Sequence, residues 1–313
     1  MAETTRRRLL AASLAVPFIA RGASAQQEWP TRSIRWVVAF AAGGAADTVA
    51  RNLGGGVSEV VNQQVVIDNR TGGNSVVAGA AVLQAPHDGY TFLIKDLPFD
   101  YLTSWMPVSQ LSSFPQVVAV RHDFPAKTIQ EFIALAKENP GKFSYGTPPA
   151  AGMAHMAGEE LQRRAGIKLI HAPYRGGFEA ARDIGSGSLD ALIITTSSIR
   201  PPLQSGKARI LAVTSLKRSA TFPDVPTLAE SGYPGFDMND WNGLFAAAGT
   251  PPPSVARMYE AVVKAAKIPA VRERLDPTGA EIVASNPKEF SAWLAAQRTL
   301  LGNLITEANI KLG

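Results

Sequence analysis

The chain has 313 residues, 31 Lys+Arg against 26 Asp+Glu (formal net charge +5), four His and no Cys. Without Cys there is no disulfide framework, thiolate metal site or cysteine nucleophile, and the length suits about two domains with their own cores. Much of the positive charge lies in the first 25 residues. Beyond them 27 Lys+Arg face 25 Asp+Glu, a net +2 with no basic, aromatic-interleaved stripe, which argues against a nucleic-acid partner.

Arg6-Arg7-Arg8, the apolar run Leu9–Ala20 and Ala23-Ser24-Ala25 read as an export signal of Sec or twin-arginine type, cleaved before Gln26. The run is too short to span a bilayer. The first strand, Ile34 to Phe40, runs into Ala41-Ala42-Gly43-Gly44 and a helix from Ala45. A helix N-terminus leaves backbone N–H groups unpaired and carries partial positive charge, and glycines before it let a small anion approach the main chain. Gly54-Gly55-Gly56 inside this helix costs about 1 kcal/mol per glycine relative to Ala, so the helix is expected to be locally weak.

A short strand over Val65–Ile67 is followed by a turn through Gly72-Gly73 and a small-residue helix from about Ser75 to Ala85. Strands come next at Tyr90–Ile94 and Val117–Val120. Thr128-Ile-Gln-Glu131 is a capping box for a helix ending near Glu138, before Asn139-Pro140-Gly141. Strands at Ser144–Gly146, Lys168–His171, Ala191–Ile194 and Arg209–Val213 alternate with helices at Ala154–Arg164 and Phe178–Ile184. Trp241–Ala247 is a further strand, and helices begin at Ser254 and Pro287. Such alternation implies an α/β fold of parallel sheets with helices on both faces.

Enzyme signatures are missing: His-x-x-x-His and His-Glu-x-x-His, Gly-x-Gly-x-x-Gly and the P-loop, and Gly-x-Ser-x-Gly do not occur. His155 and His171 read as structural histidines. The expectation is a protein that is not an enzyme and holds no metal or cofactor.

Ordered motifs then add a family resemblance. They include Phe40-Ala-Ala-Gly-Gly-Ala-Ala-Asp47, Asp68-Asn-Arg70 with Gly72-Gly73-Asn74, and Asp88-Gly-Tyr-Thr91. Further on come Pro140-Gly-Lys-Phe-Ser-Tyr-Gly146, His155-Met-Ala-Gly-Glu159, Pro173-Tyr-Arg-Gly-Gly177 and Pro223-Asp-Val-Pro-Thr227. Together they resemble the Bug-type, TctC-like solute-binding receptors of tripartite tricarboxylate transporters. The resemblance implies a two-lobed periplasmic-binding-protein fold (Venus-flytrap, type II-like), with a sheet and flanking helices in each lobe. Lobe 1 would comprise 26–118 plus 237–313, and lobe 2 119–236. It further implies a periplasmic monomer that captures a small organic carboxylate or related anion between the lobes for permease subunits.

Carried onto this chain, the resemblance places ligand contacts on Phe40, Ala42, Gly43, Gly44, Asp47, Gly73 and Asn74 in lobe 1. Lobe 2 would supply Thr147, Gly152, Tyr174, Arg175, Gly176, Thr195 and Ser197. Asp47 also reads as a cap for its own helix. Departures from the family pattern fall at Ala46, at Pro148-Pro149-Ala150-Ala151-Gly152, at Ile194-Thr195 and after Ile94, where a loop and helix of about a dozen residues or more are missing. The rival readings are a degenerate receptor acting as scaffold or signalling partner and, less favoured, a secreted enzyme.

Overall fold

The computed structural model describes residues 29–72, 75–95, 101–148 and 152–307. The export signal, Gly73, Asn74 and Pro149-Ala150-Ala151 lie outside the described residues. The chain opens with β1 (Ile34–Val38), α1 (Ala45–Val61), β2 (Val65–Asn69), α2 (Val76–Leu83), β3 (Thr91–Lys95), α3 (Tyr101–Ser104) and β4 (Trp105–Phe114). A second run holds β5 (Gln116–Arg121), α4 (Ile129–Glu138), β6 (Ser144–Thr147), α5 (Met153–Ala165), β7 (Ile170–Pro173), α6 (Gly177–Ser186), β8 (Ala191–Thr195), α7 (Arg200–Gln204) and β9 (Ala208–Val213). The last run is β10 (Asp240–Ala247), α8 (Pro252–Ala265), α9 (Pro269–Leu275), β11 (Glu281–Ile282) and α10 (Pro287–Glu307).

Two sheets result, in the orders β11-β4-β10-β3-β1-β2 and β7-β6-β8-β5-β9. They are mixed, not purely parallel as the alternation implied. β10 runs antiparallel to β3 and β4, and β5 antiparallel to β8 and β9. The physical reason is the route of the chain, because β5 and β10 are the strands by which it enters one sheet from the other. Pro115 alone separates β4 from β5, and the return path lies between β9 and β10. Gln116 pairs with Thr195 at the carboxyl end of β8, while Asp240 pairs with Phe114 beyond the carboxyl end of β3. The carboxyl edges of the two sheets therefore meet at the crossings.

Each sheet buries apolar side chains on both faces. Trp36, Val38, Phe92 and Ile94 pack against Leu53, Val57, Met258 and Val262 of α1 and α8. On the second sheet Val117, Leu192 and Ile194 pack against Ala180 and Ile184 of α6. The remaining faces share one continuous core, in which Val37, Leu93, Trp241 and Phe245 join Val118, Phe132, Tyr145 and Leu161. Helix α10 spans that seam, with Phe290 in its first half and Leu301 and Leu304 near its end. It packs on β4 and on α5. Glu160 of α5, wholly buried, takes hydrogen bonds from Arg163 and Arg164. Arg164 also donates to the carbonyl of Pro234 at 3.0 Å, which ties α5 to the returning chain.

Two local features shape the packing of the first sheet. Helix α1 runs unbroken through Gly54-Gly55-Gly56. A β-carbon at Gly54 would lie 3.2 Å from Val65 and Ile67, and one at Gly56 3.0 Å from Ala265 and Val271. Two of these glycines thus let the helix sit directly on β2, α8 and α9. Strand β4 was not anticipated. It carries Pro107 at a register shift against β10, a place where a missing N–H is tolerated.

The path from β3 to β4 is short. The two strands run parallel with β10 between them, yet residues 96–104 must link them, where such crossovers usually need a dozen or more. Lys95 is buried with its Nζ 5.8 Å from the Trp105 ring. Trp105 in turn packs within 3.4 Å of the site a β-carbon on Gly79 of α2 would occupy.

At α4 the N–H of Glu131 donates to Thr128 Oγ1 at 3.2 Å, as the capping box requires, while Glu131 Oε2 accepts at 2.6 Å from the N–H of Lys127, one residue before the cap. Thr128→Ala is expected to cost about 1 kcal/mol, a fall of roughly 3 °C in Tm by calorimetry.

Candidate functional site

Because the parallel strands end at the facing carboxyl edges, the helices that follow them begin there. Helices α1, α5 and α6 have glycine at the N-cap, Gly44, Gly152 and Gly176, each extended and with no side-chain hydrogen bond at the cap. Their first-turn amides point off the helix ends, unlike those of α4, which Thr128 closes.

In the first sheet the loop from Ala41 to Ala45 is exposed, and Gly43 has φ +82°, a conformation that favours glycine. Asp47, only 3% exposed, organises it. Its Oδ2 accepts from the N–H of Gly43 and from Arg51 Nε, both at 2.8 Å, and its Oδ1 from Asn69 Nδ2 at 2.9 Å. Asn69 Nδ2 also donates to the carbonyl of Phe40 at 3.0 Å, and its Oδ1 accepts from Arg51 at 2.9 Å. Burial alone would raise the Asp47 carboxyl. Hydrogen bonds from Arg51, Gly43 and Asn69, with the charge of Arg51, outweigh it and hold the group below the usual carboxylate range. Phe40, Ala42, Gly43, Gly44 and Asp47 are thus one unit, with Asp47 as its internal brace.

In the second sheet the N–H of Tyr174 donates to the carbonyl of Thr147 at 2.9 Å, which sets the Tyr174–Gly177 turn beside the end of β6. The Tyr174 ring lies 2.9 Å from where a β-carbon on Gly146 would stand. Burial, then a hydrogen bond with Asp183, raises its hydroxyl above the usual range. That side chain is turned into the second sheet's own packing, so the turn offers its backbone and the exposed Arg175 to the edge. Glu179 accepts from the N–H of Arg175 at 3.2 Å, repeating at α6 what Asp47 does at α1. Thr195 Oγ1 lies 3.2 Å from the hydroxyls of Ser197 and Ser198, and Ser198 abuts Gly177. Thr147, Tyr174, Arg175, Gly176, Thr195 and Ser197 therefore share one edge, with Gly152 at the start of α5. Gly73 and Asn74 cannot be placed, lying outside the described residues.

Arg51 and Asn69 were not singled out beforehand, although the i,i+4 spacing of Asp47 and Arg51 is readable in the sequence. Among the described residues no group of three or more His, Cys, Asp or Glu could hold a metal ion.

Two sheets with flanking helices, crossed twice by the chain and turning their carboxyl edges toward each other, define the architecture of the two-lobed periplasmic binding proteins. The chain belongs to the TctC family, the tripartite tricarboxylate transporter family receptors, whose sequence model matches residues 49–310. It is similar to the periplasmic binding protein BugD, at 31% identity over 90% of this chain and 99% of that one, with a TM-score of 0.71. It is also similar to Rpa4515 of R. palustris, solved with adipate, at 29% identity over 90% and 99% of the two chains (TM-score 0.74). A third likeness is to MatC of Rhodopseudomonas palustris with bound malate, at 27% identity over 88% and 99% (TM-score 0.70). The family is one of periplasmic solute-binding receptors. Among the described residues no helix is long and apolar enough to cross a membrane.

Proposed function

We propose that the protein is an exported receptor that captures a small dicarboxylate between its lobes and presents it to a tripartite tricarboxylate-type permease. One lobe is built on each sheet, with the first crossing at Pro115 and not at the expected 118, because residues 116–118 already belong to β5 of the second sheet. The observation that carries this reading is the set of glycine-capped helix starts, α1 on one edge and α5 and α6 on the other. Main-chain N–H groups at such ends suit carboxylate oxygens and need no dedicated guanidinium clamp. The adipate and malate of the two R. palustris relatives are carboxylates of the kind such a site would hold. Ala42, Gly43 and Gly44, with Gly73 and Asn74, would contact one end of the ligand. Gly152, the Tyr174-Arg175-Gly176 backbone, Thr195 and Ser197 would contact the other, and Phe40 would border it. Closure follows from the ligand binding both edges at once, which it does only in the closed state.

The test is native mass spectrometry of the purified protein, together with melting-temperature shifts in a panel of C4 to C6 dicarboxylates, monocarboxylates and amino acids. A ligand at 100 times its Kd adds about 2.7 kcal/mol, a rise of several degrees. A dicarboxylate that shifts the melt while its monoamide does not supports the reading. The short β3–β4 path favours one rival, a degenerate receptor, and a melt that no panel member moves would establish that rival. Turnover of a panel member would indicate an enzyme.

A further inference from the structure

Beneath the second-lobe edge lies a buried polar cluster that the reading above leaves unused. The rings of His155 (α5) and His171 (β7) stack at 3.8 Å with 9° between their planes. His171 Nε2 is 2.8 Å from Thr147 Oγ1, and Thr147, wholly buried, donates that hydroxyl proton to the carbonyl of Pro148 at 2.8 Å. His155 Nε2 faces Glu159 Oε1 at 3.5 Å, and Glu159 Oε1 also accepts from Tyr145 at 2.6 Å and Gln162 at 2.9 Å. The Tyr145 ring lies 5.0 Å from His171.

A threonine hydroxyl has one hydrogen; with it on Pro148, His171 donates to Thr147, which assigns His171 the Nε2–H tautomer that the spectra below test. Thr147 and Pro148 end β6, while His155 sits in the first turn of α5, just beyond Gly152. The stack thus ties α5 to β7, and the contact of His171 with Thr147 extends the tie to the end of β6.

We propose that the His155–His171 stack is a staple that fastens the start of α5 to β7 and to the end of β6, with His171 as the residue that, through Thr147 and His155, positions the Gly152 end of α5 for ligand capture. The proposal rests on the receptor reading above for its ligand arm only. A staple of two stacked imidazoles holds when both are not charged at once, because like charges 3.8 Å apart repel strongly where water is excluded. The charged and titratable groups facing His171 are His155 and Glu159 from α5 and Tyr145 from β6. Burial, then the proximity of His155, lowers His171 to about 4, with Glu159 opposing. Burial would raise Glu159, but hydrogen bonds from His155, Tyr145 and Gln162 outweigh it and keep it ionised. A histidine lowered in the folded state takes up its proton more readily when unfolded. Its contribution is therefore intact above the ordinary value near 6.5 and is lost as pH falls toward 4.

The first arm is ligand-free: histidine 15N spectra of the full chain across pH 3.5 to 7.5, with His171→Gln for assignment. A neutral Nε2–H imidazole that persists to about pH 4 is expected. An Nδ1–H tautomer, or titration near the ordinary histidine value, overturns the staple. The second arm measures adipate and malate affinity by calorimetry. Losing one buried hydrogen bond corresponds to about ten-fold weaker binding, expected for Thr147→Val and His171→Leu, whereas His171→Gln, which keeps a donor, stays within about three-fold. Thr147→Val binding as tightly as the parent overturns the positioning role. If the parent protein binds neither acid, the receptor reading fails on that point, and the histidine spectra still decide the staple.

Discussion

Replacing Phe290 by Ala is expected to lower stability by about 3–5 kcal/mol and to drop the melting temperature by roughly 10 °C. The ring is fully buried and meets three aromatic neighbours: Phe245 at 5.2 Å, Trp241 at 5.8 Å and Trp293 at 6.3 Å between centroids. It lies directly over Gly243 of β10, where any β-carbon would run into it. That flat seat lets α10 approach the first sheet closely enough to reach α5 with its far end. Truncating the ring leaves a void that neither the sheet nor the rigid indoles can fill. The cost exceeds that of an ordinary helix contact because α10 closes the core shared by both sheets. Gly243→Ala should destabilise too, by overpacking, and Gly243→Ala with Phe290→Leu should recover part of the loss. Urea unfolding of the three variants checks this. A Phe290→Ala melt within 3 °C of the parent would mean that the first half of α10 does not hold the seam.

The site's first lobe was more legible in the sequence than its second. Strand, glycine pair and helix are contiguous over Ile34–Ala50, so the local order of residues already specifies an edge with an open helix start. Asp47 and its brace Arg51 sit one turn apart on the same helix. In the second lobe Thr147 and Thr195 end β6 and β8 and Tyr174 directly follows β7, and only the order β7-β6-β8 brings them together. His155 and His171 read as structural histidines, and nothing in their spacing announces that they stack or that Thr147 lies beside them. Strand direction was likewise hidden. The residues of β5 and β10 alternate no differently from their neighbours, and their antiparallel sense follows from where the chain crosses. β4 escaped notice because Pro107 and its serines resemble a loop, whereas pairing on both sides with β10 and β11 makes it a central strand. Gly54-Gly55-Gly56 carries a more general lesson: propensity assigns it a cost, and close packing against β2, α8 and α9 explains its presence.

Asp47→Ala is expected to remove ligand-induced stabilisation altogether and to lower intrinsic stability by about 2–4 kcal/mol. The carboxylate accepts three hydrogen bonds at 2.8–2.9 Å, two of them from the side chains of Arg51 and Asn69, which bond each other, and Asn69 also holds the carbonyl of Phe40. Removing it leaves the Gly43 amide, Asn69 and Arg51 without their common acceptor, and the Ala41–Ala45 loop loses the contact that sets Gly43 at positive φ. Asp47→Asn separates charge from shape. It keeps one acceptor oxygen, so the loop should survive while the pairing with Arg51 weakens, and ligand affinity should fall by roughly ten-fold. The pH dependence follows from the depressed carboxyl. A carboxylate lowered in the folded state stabilises fully above its unfolded value of 3.8, and that contribution is lost as pH falls through the folded value. The stability gap between parent and Asp47→Asn should therefore be full at pH 7, unchanged at pH 5, and shrink below about pH 3.8. Denaturant titrations at pH 7, 5 and 3 measure the gap. A gap that stays constant down to pH 3, or that grows on acidification, would show that Asp47 is not the ionised brace of the glycine loop. The first-lobe edge would then owe its shape to its glycines alone.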